Sequence, residues 1–192
     1  LKQVTVTISK ASDTCTFTLK DATDYAATPR KVDRTGDYAV YTFITGTGDY
    51  TWTVTDTIKG TDLTLGSGSI EVTSDAFQSH AYYLTHVYTT NSSSWTGDDF
   101  TTEVKDAGGN IMTPGTPYKP ASYTAYPYML APGSYTWSVS PSAARAAEGY
   151  LPSSVQTGMR QVSNSASWSL KLAQNVLTTF TVPKGAKVEV WK

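Results

Sequence analysis

Apolar and polar residues alternate with a period of two through much of the chain, and this pattern predicts β-strands. The alternation is clearest in residues 4–8, 14–19, 38–44 and 50–54, and marked turn sequences lie between these segments. No stretch of ten residues carries the apolar stripe of a helix, and the alanine-rich segment 142–148 predicts at most one or two helical turns. The chain is therefore predicted to be all-β.

Turn and aromatic positions recur 85 residues apart, in register and without a gap from residue 17 to residue 54. Lys-Asp-Ala occurs at 20–22 and at 105–107, and Gly-x-Tyr-Thr-Trp-x-Val occurs at 48–54 and at 133–139. Self-similarity at a fixed period is the signature of a tandem array of one structural unit. The repeated Lys-Asp-Ala is predicted to be a strand end followed by a turn, with a structural role.

The repeat predicts two modules, residues 1–84 and 85–175. The second copy has gained about five residues, since Gly68 matches Gly158 at a spacing of 90. Residues 176–192 resemble the opening of the first copy, so we expect either the start of a third repeat or an extra strand on the second module. The chain lacks an initiator methionine and a signal peptide, and we expect it to be a piece of a longer protein.

Short turn and core motifs recur along the chain: Gly48-x-Tyr50, Gly133-x-Tyr135, Gly149-Tyr150, Gly68 to Val72, Gly158 to Val162, and Val182-Pro183-x-Gly185-Ala186. These motifs resemble those of immunoglobulin-like or transthyretin-like sandwich repeats in Gram-positive surface proteins, including carboxypeptidase-regulatory-like and collagen-adhesin B-type domains. This resemblance implies two tandem β-sandwich modules, immunoglobulin-like or prealbumin-like, with the first strand or strands of a third. It also implies an extracellular protein, secreted or anchored at the cell surface, whose repeats serve as spacers and adhesion modules.

Collagen-adhesin B-type domains close a Lys–Asn isopeptide bond under a catalytic glutamate. By this resemblance Lys20 or Lys105 could supply the amine, and Asn164 or Asn175 the amide of the second copy. Residues 52–54 occupy the place of the required glutamate and contain no acidic residue. We therefore expect no isopeptide bond.

Charge and cysteine content narrow the classes of partner. The formal net charge is −1 with no basic run, which gives no electrostatic support for binding nucleic acid or an anionic membrane. Cys15 is the only cysteine, which rules out an intrachain disulfide. This suits a Gram-positive or anaerobic exterior, and a cytosolic protein would show the same cysteine content. Its alternating surroundings predict a small buried core residue.

Residues suited to catalysis are sparse. His80 and His86 lie six apart on one predicted strand face, about 20 Å from each other by strand rise, which is too far to share a metal ion. The sequence offers neither a nucleophile with a base nor a phosphate-cradling glycine loop. We expect no enzymatic activity, no metal site and no cofactor.

Exposed aromatic side chains remain as candidates for binding. Trp52 and Trp137 recur in register and are predicted core residues, but Trp95 lies in a polar stretch without a counterpart. Carbohydrate-binding sites stack sugars on such rings, and the carboxylates of Asp98 and Asp99 could bond sugar hydroxyls. Tyr88 could join that site. Alternatively Trp95 packs across the module junction, and the two aspartates form a solvated turn.

We predict a non-catalytic structural and adhesion repeat region of a secreted or cell-surface bacterial protein. The alternative is a carbohydrate- or mucin-binding module, an accessory to a polysaccharide-degrading enzyme in one version. The expected partner is a host or cell-wall glycan or protein, and the expected state is a monomer within a longer multidomain chain. The connection at residues 76–90 is short, which predicts limited bending between the modules.

Overall fold

The structure is a computed structural model, and it describes residues 1–10, 12–90, 95–119, 123–151, 156–172, 176–177, 181, 184–185 and 187. The strands are β1 (Lys2–Ser9), β2 (Thr16–Lys20), β3 (Ala26–Ala27), β4 (Lys31–Thr35), β5 (Tyr38–Thr45), β6 (Gly48–Ile58), β7 (Thr61–Val72), β8 (Phe77–Thr90), β9 (Phe100–Lys105), β10 (Tyr126–Leu130), β11 (Gly133–Pro141), β12 (Tyr150–Leu151), β13 (Gln156–Val162), β14 (Ala166–Lys171) and β15 (Val176–Leu177). A short helix, α1 (Ala143–Ala147), lies within the predicted helical segment. The prediction of an all-β fold is confirmed.

Module 1 is a sandwich of two sheets. One sheet has the strand order β4-β5-β1-β8 and the other has the order β3-β2-β6-β7. Their inward residues share one core that includes Val6, Phe17, Phe43 and Trp52, each at most 4% exposed. Cys15 is fully buried in the same core, as its alternating surroundings predicted.

Module 2 repeats this arrangement with fewer strands. β10 and β14 flank β8 in one sheet, and the second sheet has the order β13-β11-β9. A second core lies between these sheets and includes Val87, Tyr128, Val139 and Trp168. Each sheet of module 2 therefore corresponds to part of a sheet in module 1.

One strand, the 14-residue β8, belongs to both modules. Its residues 77–82 pair in parallel with β1, and its residues 83–87 pair antiparallel with β10. Residues 85–90 also pair in parallel with β14. The boundary predicted between residues 84 and 85 lies inside this strand, so the connection at residues 76–90 consists largely of continuous β-structure.

The buried face of β8 changes along its length. Leu84 belongs to the core of module 1, and Val87 belongs to the core of module 2. Successive side chains of a strand point to opposite faces, so residues 84 and 87 face opposite sides of the sheet. The two cores therefore lie on opposite faces of a single strand.

The aromatic repeat has the same packing in both modules. Trp52 pairs with Gly68 across β6 and β7, and Trp137 pairs with Gly158 across β11 and β13. A Cβ atom on Gly68 would lie 2.7 Å from Cζ2 of Trp52, and one on Gly158 would lie 2.5 Å from Cζ2 of Trp137. The matched glycines therefore leave room for the indole of the neighbouring strand.

The repeated Lys-Asp-Ala marks a turn at the end of a strand in each module. The carboxylate of Asp21 accepts hydrogen bonds from the backbone N–H groups of Thr23 and Tyr25, at 2.9 and 3.1 Å. The carboxylate of Asp106 accepts one from the backbone N–H of Asn110 at 2.8 Å. Both aspartates organise their own turns, in keeping with the predicted structural role.

The C-terminal segment pairs with module 2 where it is described. β15 runs antiparallel to β12, with Leu177 opposite Tyr150. Residues 178–180, 182–183, 186 and 188–192 lie outside the described residues. Most of the predicted start of a third repeat falls among them.

Candidate functional site

Trp95 packs against the core of module 2. Its ring meets Phe100 and Tyr150 edge-on, at centroid distances of 5.4 and 5.2 Å. The guanidinium carbon of Arg145 lies 5.3 Å from the centroid of the same ring. These partners all belong to module 2, whereas the sequence had suggested either a junction contact or an open platform.

Asp99 is held by structural contacts beside Trp95. Its carboxylate accepts hydrogen bonds from the backbone N–H of Thr96 at 2.7 Å and from Nε of Arg145 at 2.8 Å. Burial opposes ionisation of Asp99, but the bonds from Thr96 and Arg145 outweigh it and lower the pKa of the carboxyl. Asp98 lies in the same 3₁₀ turn and is exposed. This geometry matches the predicted turn, with Asp99 fixed and Asp98 solvated.

Tyr88 lies apart from Trp95. Its ring stacks on Tyr123 with a centroid distance of 4.5 Å and an interplanar angle of 29°. Because Tyr88 directly follows Val87 in β8, it faces away from the core against which Trp95 packs. The four predicted site residues therefore do not form one surface: Trp95 and Asp99 share Arg145, while Tyr88 is on the opposite face of the sheet.

Module 2 inserts a side chain into module 1 at the junction, which we define as the contact of Leu84, Met129 and Gly66. Met129 of β10 pairs with Leu84 of β8, and both are 4% exposed within the core of module 1. A Cβ on Gly66 of β7 would lie 2.7 Å from Cβ of Met129. The absence of a side chain at Gly66 thus allows Met129 to approach β7.

A backbone hydrogen bond joins the modules beside this contact, from the N–H of Thr116 to the carbonyl of Thr64 at 2.6 Å. Met129 had no special place in the sequence pattern. Met129 lies between Tyr128 and Leu130 in one apolar run, and the sequence does not indicate that Met129 packs in the core of module 1 while its two neighbours pack in the core of module 2.

A cavity of about 680 Å³ opens beside the junction. Module 1 contributes Lys10 and Lys59 to its wall, β8 contributes His86, and module 2 contributes Tyr118 and Ser167. Among the described residues, none that lines the cavity is acidic, but the ammonium of Lys10 pairs with the carboxylate of Asp13. Serine and threonine hydroxyls make up much of the remaining polar wall. A volume of this size and a mixed apolar and polar wall are typical of small-molecule sites.

His86 and Tyr118 form a hydrogen-bonded pair in the wall of this cavity. The Tyr118 hydroxyl lies 2.6 Å from Nε2 of His86, and the rings meet edge-on at 5.6 Å. Burial lowers the pKa of His86 and raises the pKa of Tyr118, so both groups are neutral near pH 7. The pair joins module 2 to β8 and presents polar atoms to the cavity.

Asp56 is a buried carboxylate, 2% exposed, that accepts hydrogen bonds from two residues of the cavity wall, the Ser12 hydroxyl and the Thr57 backbone N–H. One of its oxygens accepts hydrogen bonds from the Thr14 hydroxyl at 2.7 Å and the Thr57 backbone N–H at 2.8 Å. Among the described residues, no three histidine, cysteine or acidic side chains are grouped closely enough to hold a metal ion. Within the same residues, no helix is long and apolar enough to span a membrane.

The lysines considered for an isopeptide bond form ion pairs instead. The ammonium of Lys20 lies 2.9 Å from a carboxylate oxygen of Asp24, and that of Lys105 lies 2.7 Å from a carboxylate oxygen of Glu103. Asn175 lies outside the described residues.

No protein-family model matches the chain, and no curated protein matches it significantly. Solved structures with some likeness include the Bacillus anthracis TIE protein, at 15% identity and a TM-score of 0.31 over 91% of this chain and 34% of that one. A streptococcal ancillary pilin follows at 8% identity and a TM-score of 0.28, over 91% and 69% of the two chains. The shaft pilin SpaA from Lactobacillus rhamnosus GG has 10% identity and a TM-score of 0.27, over 94% and 99%. The chain spans about a third of the length of the TIE protein.

Proposed function

We propose that this chain is a non-catalytic structural and adhesion segment of an extracellular bacterial protein, and that it acts as a stiff connector. The observation that carries the proposal is the sharing of β8 by both modules. Bending between the modules would break ladder hydrogen bonds to β10 or to β14, which a flexible linker would not require. Continuous pairing therefore favours a fixed angle between the sandwiches.

Packing at the junction supports the same role. Met129 from module 2 fills space in the core of module 1, and rotation of one module against the other would expose this side chain to water. Burial of an apolar side chain of this size contributes about 1.5–3 kcal/mol. The turn and core motifs that recur in both copies add further support, since the resemblance to surface-protein repeats rests on them.

Pulsed electron–electron spin resonance between spin labels tests this stiffness. One label pair joins the modules through the exposed positions Val32 and Met159, and a control pair stays within module 1 at Val32 and Asp62. Cys15 is replaced by alanine in both proteins. We expect equally narrow distance distributions for the two pairs. A much broader distribution for the pair that joins the modules would contradict the proposal.

A second candidate function, carbohydrate binding, is favoured by the cavity beside the junction. Lys10 and Lys59 line it together with hydroxyl-bearing side chains, and the ammonium of Lys10 also pairs with the carboxylate of Asp13. This combination suits a glycan, because the hydroxyls can bond its ring substituents, and a sugar carboxylate would compete with Asp13 for the ammonium of Lys10. Trp95, which packs against the core of module 2, is the separate location that the sequence suggested for the same function.

Binding of mucin and of glycans rich in uronic or sialic acids separates these locations. We expect Lys59→Ala to reduce binding and Lys31→Ala, a lysine change on β4 paired with Asp33, to leave it unchanged. Loss of binding in Trp95→Ala alone would place the site at Trp95. No binding by the intact chain would leave the connector role as the function.

A further inference from the structure

The first and last strands of each module run parallel to each other. In module 1, β1 pairs with the first part of β8 from Gln3 opposite Phe77 to Ile8 opposite Tyr82. In module 2, the later part of β8 pairs with β14 from Thr85 opposite Ala166 to Thr90 opposite Lys171. Each parallel ladder contains six residue pairs.

This arrangement determines how tension acts on the hydrogen bonds. In a parallel pair, the chain enters the first strand at one end of the ladder and leaves the last strand at the other end. Tension along the chain therefore slides the two strands past each other and loads all hydrogen bonds of the ladder together. If both strands were pulled from the same end of the ladder, the bonds would open one after another.

We propose that the two parallel ladders are mechanical clamps in series, and that the chain transmits tension through β1, β8 and β14. Force passes from β1 to β8 across the first ladder, along the covalent backbone of β8, and from β8 to β14 across the second. The residues between β1 and β8, and those between β8 and β14, lie outside this path. The inference rests on the proposed role as a connector.

Additional bonds lie at both ends of the first clamp and at the C-terminal end of the second. The backbone N–H of Gln3 donates to the carbonyl of Ala76 at 3.0 Å, just before the first ladder begins. The backbone N–H of Leu84 donates to the hydroxyl of Ser9 where that ladder ends. In module 2, the backbone N–H of Leu172 donates to the carbonyl of Thr90 at 2.9 Å.

The strands of the clamps are shielded from water on their core face. Val4, Val6 and Ile8 of β1 are fully buried, as are Val87 of β8 and Leu170 of β14. In addition, β1 lies between β5 and β8, and the later part of β8 lies between β10 and β14. Sliding these strands would expose apolar side chains at the same time as it breaks the ladder, so both costs oppose the motion.

Single-molecule force measurements in two pulling directions test the clamp. Handles at Leu1 and Lys171 load both ladders in shear, whereas handles at Leu1 and Phe77 pull the first ladder apart from one end. We expect a several-fold higher unfolding force in the first direction at the same loading rate. Equal forces in the two directions would overturn the proposal.

Matched valine variants separate mechanical resistance from ordinary stability. Val6 lies in β1 and Val72 lies in β7, outside the force path, and both are at most 1% exposed in the core of module 1. We expect Val6→Ala and Val72→Ala to lower the denaturant midpoint to a similar extent, but only Val6→Ala to lower the force between Leu1 and Phe77 or between Leu1 and Lys171. An equal loss of force in Val72→Ala would overturn the proposal.

The distance distributions between spin labels keep this inference distinct from the proposed function. Narrow distributions together with equal forces in both pulling directions would leave a stiff connector that has no clamp. Broad distributions would remove the connector role itself, whatever the unfolding forces are.

Discussion

Replacement of Gly68 with alanine places a methyl group against the buried indole of Trp52. The new Cβ would lie 2.7 Å from Cζ2 and 2.8 Å from Cε2 of that ring. Carbon atoms in contact are ordinarily about 3.5–4.0 Å apart, so the ring must move by about 1 Å. Trp52 is 4% exposed and its ring centroid lies 5.8 Å from that of Phe17 and 4.4 Å from that of Tyr82, which leaves little room for this movement.

The expected loss follows from two opposing terms. Insertion of an extra carbon into a well-packed core typically lowers the free energy of unfolding by about 1–3 kcal/mol. The change from glycine to alanine also restricts the unfolded chain, which stabilises the folded state by about 0.4–1 kcal/mol. We therefore expect Gly68→Ala to lower the free energy of unfolding by about 1–2 kcal/mol.

Urea unfolding followed by tryptophan fluorescence measures this change. The control is Gly46→Ala, since the atom nearest to a Cβ at Gly46 is the Tyr50 hydroxyl at 3.9 Å, and we expect a change within about 0.5 kcal/mol. In a Trp52→Phe background the smaller ring lacks the crowded atoms, so Gly68→Ala should cost less there than in the native protein. Equal effects of Gly68→Ala in both backgrounds would refute the reasoning.

Three further outcomes are expected. Met129→Ala removes a side chain that is 4% exposed, and it should lower the free energy of unfolding measured in urea titrations by about 2–4 kcal/mol. The control Met159→Ala, at a site that is 69% exposed, should change it by less than about 0.5 kcal/mol. Burial lowers the pKa of His86 and of His80, so the unfolded chain binds more protons than the folded protein does. The melting temperature should therefore fall as the pH drops below about 6.5. In thermal melts of His86→Gln, this fall should be less steep. Because the pKa of Asp99 is lowered in the folded state, its contribution to the free energy of unfolding is present above about pH 4 and is lost as the pH falls through the folded-state pKa. Asp99→Asn should therefore weaken the dependence of the melting temperature on pH below about pH 4. Unchanged pH profiles in these variants would contradict the assigned roles.

The repeat in the sequence anticipated much of the internal structure of the modules. The match of Gly68 with Gly158 at a spacing of 90 corresponds to two equivalent positions opposite Trp52 and Trp137. Packing of this kind can be recognised in the sequence, because a glycine and a tryptophan must occupy defined positions on neighbouring strands in each copy. The packing of Trp95 could not be recognised in this way, since its partners Phe100, Arg145 and Tyr150 come from separate segments of module 2.

The class of fold followed from local chemistry alone. Alternation with a period of two, turn residues at regular intervals and two copies of one pattern are properties of neighbouring residues, and they led to an all-β chain of repeated modules. The extent of β8 was less clear, because the predicted strand that contains His80 and His86 carries apolar side chains on both faces.

Pairing between distant segments settled the rest. The parallel ladders join residues more than 70 positions apart, and the change of buried face within β8 depends on which sheets pack against each part of the strand. The cavity likewise gathers Lys10, Lys59, His86, Tyr118 and Ser167 from widely separated positions. Side-chain alternation predicts that a strand has two faces, but the sheets that pack against the strand determine which face is buried. In β8, one face is buried in module 1 and the opposite face in module 2, so a single strand connects the two modules.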